Sequence, residues 1–326
     1  MVGQRTSARA AGILIGYLAD QAFGDPRRGH PVAGFGTTAA ALERITYRDS
    51  RVAGTVHTAL LVTALGAAAM YADRAARRQG PLCEAALMAA ATWVSLGGRS
   101  LVRTGTELAD LLEADDIDGS RRLLPSLCGR DPAFLDADGL ARAALESIAE
   151  NTSDAQVAPL LWAAVAGVPG VLGYRAINTL DAMVGHRSPR YARFGWAAAR
   201  TDDVVNYPGA RLGGVLVVLC APAIGGSSRA AWRAWWRDAA KHPSPNAGVV
   251  EATFAGALGV RLGGPTQYHH ELQIRPTLGD GRVPAVADLR RSVRLSAVVQ
   301  LAAALVTAGA AVSAAGRTGR RACSRR

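Results

Sequence analysis

The chain is poor in the groups that most soluble enzymes spread over their surfaces. Charged residues make up 19% of it, below the usual share of about 25%, and Lys241 is the sole lysine, so the net charge of +11 rests on arginine. Aromatic residues are only 6%, and no basic patch studded with aromatics is present of the kind that stacks single-stranded nucleic acid. Nucleic acid is therefore not an expected partner. The four cysteines at 83, 128, 220 and 323 follow neither a zinc spacing nor a paired pattern, which argues for a reduced setting without zinc. Four catalytic signatures are missing as well: GxxxxGK[ST], GxGxxG after a strand, HExxH and GxSxG. The glycine-rich GALGVRLGG at 256–264 fits none of them.

What the chain does have is apolar length. Alanine, valine, leucine and glycine dominate runs at 11–19, 53–72, 82–98, 155–173, 212–226 and 295–316. A run of about 20 apolar residues spans a bilayer as a helix, and the uncharged 295–316 is the clearest. The run at 11–19 follows Arg5 and Arg9 but ends at Asp20 without a small-residue cleavage site, so it reads as a retained membrane-associated helix rather than a signal peptide. The 155–173 run holds Pro159, Gly167, Pro169 and Gly170, which suits a kinked or re-entrant helix as well as a simple span. The reading is an all-α, multi-pass protein of the cell membrane, bounded by lipid. It forms one helical domain, 1–326, with polar inserts at about 99–154, 174–204 and 227–294. The Trp-rich basic segment at 229–241 reads as a helix at the membrane interface. The stretches 20–36 and 243–294 read as loop-rich.

Polar groups concentrate between the runs, above all at 146–211. Glu146, Glu150 and Asp154 stand at i, i+4 and i+8, which on one continuous helix puts three carboxylates on one face. Like charges so placed repel unless a cation lies between them. The competing local reading makes Ser153 an N-cap, with Gln156 reaching back and a helix break at Asn151-Thr152. Asn178 and Asp181 lie one turn apart and precede His186; Asn178 could equally be an N-cap. Asp202 and Asp203 are adjacent, so they point to different sides and could serve Mg²⁺ or an exposed turn. Arg175, Arg187, Arg190, Arg193 and Arg200 form a set suited to carboxylates and phosphates, although a charge bias across a membrane produces the same pattern. Asp25 and His30 flank a rigid Pro-containing loop, and Ser244 and Asn246 sit in PSPNAG, either a turn or a ligand contact. Together these residues suggest Mg²⁺-assisted chemistry on an anionic substrate.

Five ordered stretches carry a resemblance: ESIAENTSDA, YRAINTLDAMVGHR, FGWAAARTDD, SPNAG and AGALGVRLGGP, with GDP and HPV before them. The chain resembles the adenosylcobinamide-phosphate synthase family of cobalamin-biosynthesis membrane proteins, from about Asp20 to Arg294. It departs from that pattern at Tyr207-Pro208-Gly209-Ala210-Arg211, where the displaced proline puts Arg211 in question. The resemblance implies ATP- and Mg²⁺-dependent amide formation between adenosylcobyric acid, a corrinoid, and (R)-1-aminopropan-2-ol or its O-phosphate. Other late cobalamin-pathway enzymes are further expected partners. On this reading Glu150, Asp154 and then Asp181 hold Mg²⁺, and Glu146, Glu150 and Asp181 belong to the catalytic set. His30 or His186 is the base. Arg175 and Arg193 meet phosphate or corrinoid carboxylates, and Asn151, Asn178 and Asn246 orient amide side chains. Asp25, Ser153, Asp202, Asp203 and Ser244 complete the substrate contacts. A permease or a scaffold for corrinoid enzymes is the alternative; the nearly uncharged apolar runs, with polar groups between them, favour a site at the membrane surface.

Overall fold

The computed structural model describes residues 2–26, 29–186, 188–267 and 272–323. Twelve helices and one hairpin follow in order among these residues. They are α1 (Val2–Phe23), α2 (Pro31–Thr46), α3 (Arg51–Gln79), α4 (Pro81–Ser95), α5 (Gly98–Glu113), α6 (Ile117–Leu123), α7 (Ala137–Thr152) and α8 (Ala158–Leu180). After them come α9 (Trp196–Cys220), α10 (Ser228–Asp238), α11 (Ala247–Leu258), β1 (Leu262–Gln267), β2 (Leu272–Leu278) and α12 (Val286–Cys323). The fold is all-α and of polytopic membrane type. Among the described residues five helical stretches are long and apolar enough to cross a membrane: Arg51–Gln79, Pro81–Glu113, Ala137–Gly185, Trp196–Ile224 and Val286–Ser313. Helix α1, read from the sequence as membrane-associated, is not among them.

The chain divides into two compact units, each discontinuous in sequence. The first takes 1–97, 158–206 and 303–326, and so includes the polar insert at 174–204. In it, α1 lies against α4 through Gly12 and Gly16, one turn apart. A Cβ on Gly12 would come within 2.5 Å of Met88 Cβ, and one on Gly16 within 2.6 Å of Thr92 Cβ. Small residues at that spacing let two helices approach closely. Helix α2 starts at Pro31, six residues earlier than the loop reading of 20–36 implied, because His30 caps it and a proline suits the first helical turn. Helix α8 kinks at Gly167, which adopts φ 67°, ψ −150° two residues before Pro169, as its glycine and proline content led one to expect. Phe194, Leu180, Val184, Leu61, Ala39 and Ala198 form a core of this unit.

The second unit takes 98–157 and 207–302. Helices α10 and α11 lie close because Gly256 passes Ala230 with room for no side chain. The region read as loop-rich contains α11, which is buried along its whole length. A helix apolar on every side belongs in a core, and the absence of a polar face is why its periodicity was silent. The β1–β2 hairpin is antiparallel, with a bulge between Leu262 and Gly264. Two π-helical turns occur, Ser153–Val157 and Asp181–Gly185. Both fall inside the polar motifs, and such turns gather at functional sites.

Candidate functional site

In the second unit, the α7 spacing places Glu146 and Glu150 on one face. Glu146 is buried. Arg130, also buried and from the loop before α7, donates to its Oε2. The backbone N–H of Gly263 donates to Oε1 at 2.7 Å. The bulge next to it frees that amide from the ladder, and φ +84° with Pro276 O 2.1 Å from a hypothetical Cβ requires glycine there. Arg142, one turn before Glu146, donates to the Gly263 and Pro265 carbonyls, each at 3.0 Å.

Glu251 of α11 is 1% exposed and His242, in the segment before it, 8%. His242 Nε2 lies 3.7 Å from Glu251 Oε1, and Arg275 Nη1 of β2 lies 3.9 Å from the same oxygen. Burial, then the Glu146 and Glu150 charges, push the Glu251 carboxyl well above the usual carboxylate range, outweighing Arg275 and Arg130. Burial, with Arg275, pushes the His242 imidazole down. Both shifts favour the neutral forms. Glu150 is exposed, and Arg275, Arg130 and Glu146 are the charges that act on it.

The other residues expected in this unit have more local duties. Asn151 Nδ2 donates to Ser147 O at 2.9 Å and Ser147 Oγ at 3.2 Å, on its own helix. Ser153 does not cap a helix: its backbone is helical and it opens the first π-turn. The chain therefore stays helical through Asn151-Thr152, because the wider turn absorbs a residue without breaking the hydrogen-bond ladder. That turn also shifts Asp154 from the α-helical register joining Glu146 to Glu150. Ser244 Oγ accepts the N–H groups of Asn246 and Ala247, at 3.3 and 3.2 Å, and so starts α11. Asn246 Oδ1 accepts from Arg211 Nη1 at 2.9 Å. Helix α9 runs on through Pro208, so the displaced proline leaves Arg211 tied to the SPNAG motif.

In the first unit a polar chain joins two motifs. Asn178 Oδ1 accepts from Arg175 Nη1 at 3.4 Å, and Asn178 Nδ2 donates to Asp202 Oδ1 at 3.4 Å. Asn206 Nδ2 donates to Asp202 Oδ2 at 2.8 Å, and Asn206 Oδ1 accepts from the Tyr174 hydroxyl at 2.6 Å. Asn178 lies inside α8 and is no N-cap. Asp202 is buried, whereas Asp203 faces Arg200 at 3.4 Å, so the adjacent pair does point two ways. Arg175 also lines a mostly apolar cavity of about 70 Å³ with Phe35, Leu65, Val94 and Leu172.

His30 Nδ1 accepts the Val32 N–H at 3.1 Å, and its Nε2 lies 3.6 Å from Asp25 Oδ1. One nitrogen caps α2 and the other faces a carboxylate, so this imidazole ties the loop to the helix start. His186 is exposed, edge-on to Tyr191 with centroids 5.0 Å apart. Asp181 is half-buried at the start of the second π-turn. Arg193 stands 3.9 Å from Asp49, both exposed. Arg190 is not an open anion contact: it donates to Glu43 Oε1 at 2.9 Å, beside Tyr191 at 3.0 Å. Arg187 lies outside the described residues. Among the described residues no group of three His, Cys, Asp or Glu side chains is placed to hold a metal ion. Asp181 belongs to one unit and Glu150 and Asp154 to the other.

Sequence reasoning missed Arg130, His242, Glu251, Arg275, Tyr174 and Asn206. Three left a trace: Glu251 is the lone acid in a twelve-residue apolar helix, and Asn206 and Tyr174 sit one turn from Asp202 and Asn178. The arginines, in a loop and a strand, left none.

An all-α, membrane-type chain with a buried carboxylate–arginine–histidine cluster is thus the class defined. The family model described as CobD/Cbib protein matches residues 13–296, and the chain belongs to that family. It is 68% identical over 306 residues to the cobalamin biosynthesis protein CobD of Mycobacterium tuberculosis, covering 94% of this chain and 97% of that one. It is 43% identical over 288 residues to the protein of that name from Geobacter metallireducens, covering 87% and 91%. No solved structure matches it.

Proposed function

We propose that this protein acts in cobalamin biosynthesis at the membrane, as an enzyme that joins a corrinoid carboxylate to an amine with consumption of ATP. The substrates are adenosylcobyric acid and (R)-1-aminopropan-2-ol or its O-phosphate. The observation that carries this reading is the clustering of Glu146, Glu150 and Glu251 with Arg130, Arg275 and His242 inside a chain of this family. Such a site offers guanidinium groups to anionic substrates and carboxylates to a cationic amine.

A carboxylate resists attack by an amine until one oxygen becomes a leaving group. Transfer of the ATP γ-phosphoryl to the propionate oxygen makes a mixed anhydride and ADP. Attack by amine nitrogen then forms the C–N bond and releases phosphate. Because no three-residue cage is formed among the described residues, Mg²⁺ is proposed to arrive on the phosphates of ATP, where it neutralises their charge. Arg130 and Arg275 supply fixed positive charge within the site.

The test is to incubate detergent-purified protein with adenosylcobyric acid, aminopropanol phosphate, ATP and Mg²⁺, and to weigh the corrinoid by mass spectrometry. An amide product that requires ATP is expected. Corrinoid binding without product or ATP turnover would make the chain a carrier or scaffold.

A further inference from the structure

The proposed reaction needs a free amine, yet a primary alkylamine has a pKa near that of lysine, roughly 10, and arrives protonated. Something must receive the ammonium and take its proton. We propose that His242 and Glu251 form the receptor for the amine of the second substrate and accept its proton; this rests on the amide-forming reading above.

Glu251 Oε1 and His242 Nε2 are both buried, and among the described residues neither has a hydrogen-bond partner. They face each other at 3.7 Å, too far for a direct hydrogen bond and near enough for one nitrogen beside the pair to reach both. Buried polar atoms normally have partners, and an unpartnered pair marks a place built for something else. The carboxylate oxygen accepts one N–H of an ammonium, and the imidazole lone pair accepts another.

The charge balance points the same way. The groups facing Glu251 are Glu146 and Glu150 of α7, Arg275 of β2, Arg130 of the loop before α7 and His242 itself. With every acid ionised and His242 neutral, these described side chains carry three negative and two positive charges. One cation is needed to close the sum, and an ammonium supplies it. In its absence a proton on Glu251 does the same.

His242 is also held in place to take up the proton. Its Nδ1 lies 3.0 Å from the Ser244 N–H and 3.2 Å from the Ser244 carbonyl oxygen. The same residue can therefore donate to Nδ1 or accept from it, so either neutral tautomer is held in one ring position. The ammonium gives one proton to Nε2 and becomes an amine, leaving His242 as an imidazolium whose Nδ1–H faces the Ser244 carbonyl. The amine nitrogen attacks the acyl carbon, the C–N bond forms and the C–O bond to phosphate breaks. The second N–H proton leaves on the released phosphate.

The experiment compares wild type, Glu251→Gln and His242→Asn as full-length protein in detergent. Calorimetry measures binding of 1-aminopropan-2-ol, with 1,2-propanediol as the control lacking nitrogen. Glu251→Gln is expected to weaken amine binding about tenfold or more and leave the KM for ATP unchanged. His242→Asn is expected to move the pH profile of kcat/KM for the amine upward, because free amine becomes the only productive form. Unchanged amine binding in folded Glu251→Gln, or an unmoved profile in His242→Asn, would overturn the receptor; if Glu251→Gln does not fold, His242→Asn decides by amine affinity and profile together. Wild type that binds the amine but makes no amide would remove the ligase reading and leave the receptor standing. Amide formation untouched by either variant would do the reverse.

Discussion

Glu146 and Gly263, 117 positions apart in sequence, are joined by a backbone N–H that donates to a buried carboxylate at 2.7 Å. A bulge in the hairpin exists where that amide is needed, and Arg130 takes the other carboxylate oxygen. The strand thus satisfies an acid that could not otherwise be buried.

This contact predicts a stability loss from both ends. Arg130→Met leaves Glu146 as an unpaired buried charge and is expected to cost about 3–5 kcal/mol. Gly263→Ala must hold a positive φ and push a Cβ against the Pro276 carbonyl, costing roughly 1–3 kcal/mol. Thermal unfolding of detergent-solubilised protein checks both, and a melting temperature equal to wild type would contradict the contact.

Acid sensitivity is expected from Asp238. Burial alone would raise its pKa, but bonds from Arg237, Lys241 and the Gly279 N–H outweigh it and hold the carboxyl at about 2, below the usual aspartate value of 3.8. A depressed acid pKa means the stabilisation is complete above the unfolded value and disappears as pH falls from there through about 2. Asp238→Asn should lower the melting temperature at pH 7 and flatten its fall between pH 4 and pH 2, both relative to wild type (roughly 1–2 kcal/mol after allowing for the exposed partners).

The Tyr174–Asn206–Asp202 chain should behave as one unit. Tyr174→Phe removes one hydrogen bond and is expected to cost about 1 kcal/mol. Asn206→Ala orphans both neighbours and should cost about 2–3 kcal/mol. The double variant should lose less than the sum. Additive losses in chemical denaturation would mean the bonds are independent.

Activity tests separate the two units' acids. Glu150→Gln is expected to reduce kcat/KM about a hundredfold or more, as loss of a charged group acting on substrate does. Asp181→Asn is the parallel test for the π-turn of the first unit. Full activity in both folded variants would remove these two acids from the chemistry. Chelation of Mg²⁺ should abolish turnover by wild type without lowering its melting temperature, since the metal is proposed to come with ATP rather than to brace the fold.

The helical architecture was largely legible because long apolar runs permit few other structures, and Ala53–Ala72 and Leu295–Gly316 both lie inside observed helices. Glu146 and Glu150 were legible because their spacing is the helix period. Helix α11 was not: with no polar face it has no periodicity, and its glutamate looks like an isolated surface charge. Ser153 misled because its local pattern fits a cap, and only the continuous ladder through the π-turn shows that no helix starts there.

Local sequence thus determined which segments are helical and which motifs hold acids, because propensity and period act over a few residues. Tertiary structure alone decided which charges meet. Arg130, Glu146, Glu251 and Arg275 lie on a loop, two helices and a strand, and no local rule links them. A buried carboxylate must find its partners wherever the chain brings them, because leaving it unpaired costs more than any local preference supplies.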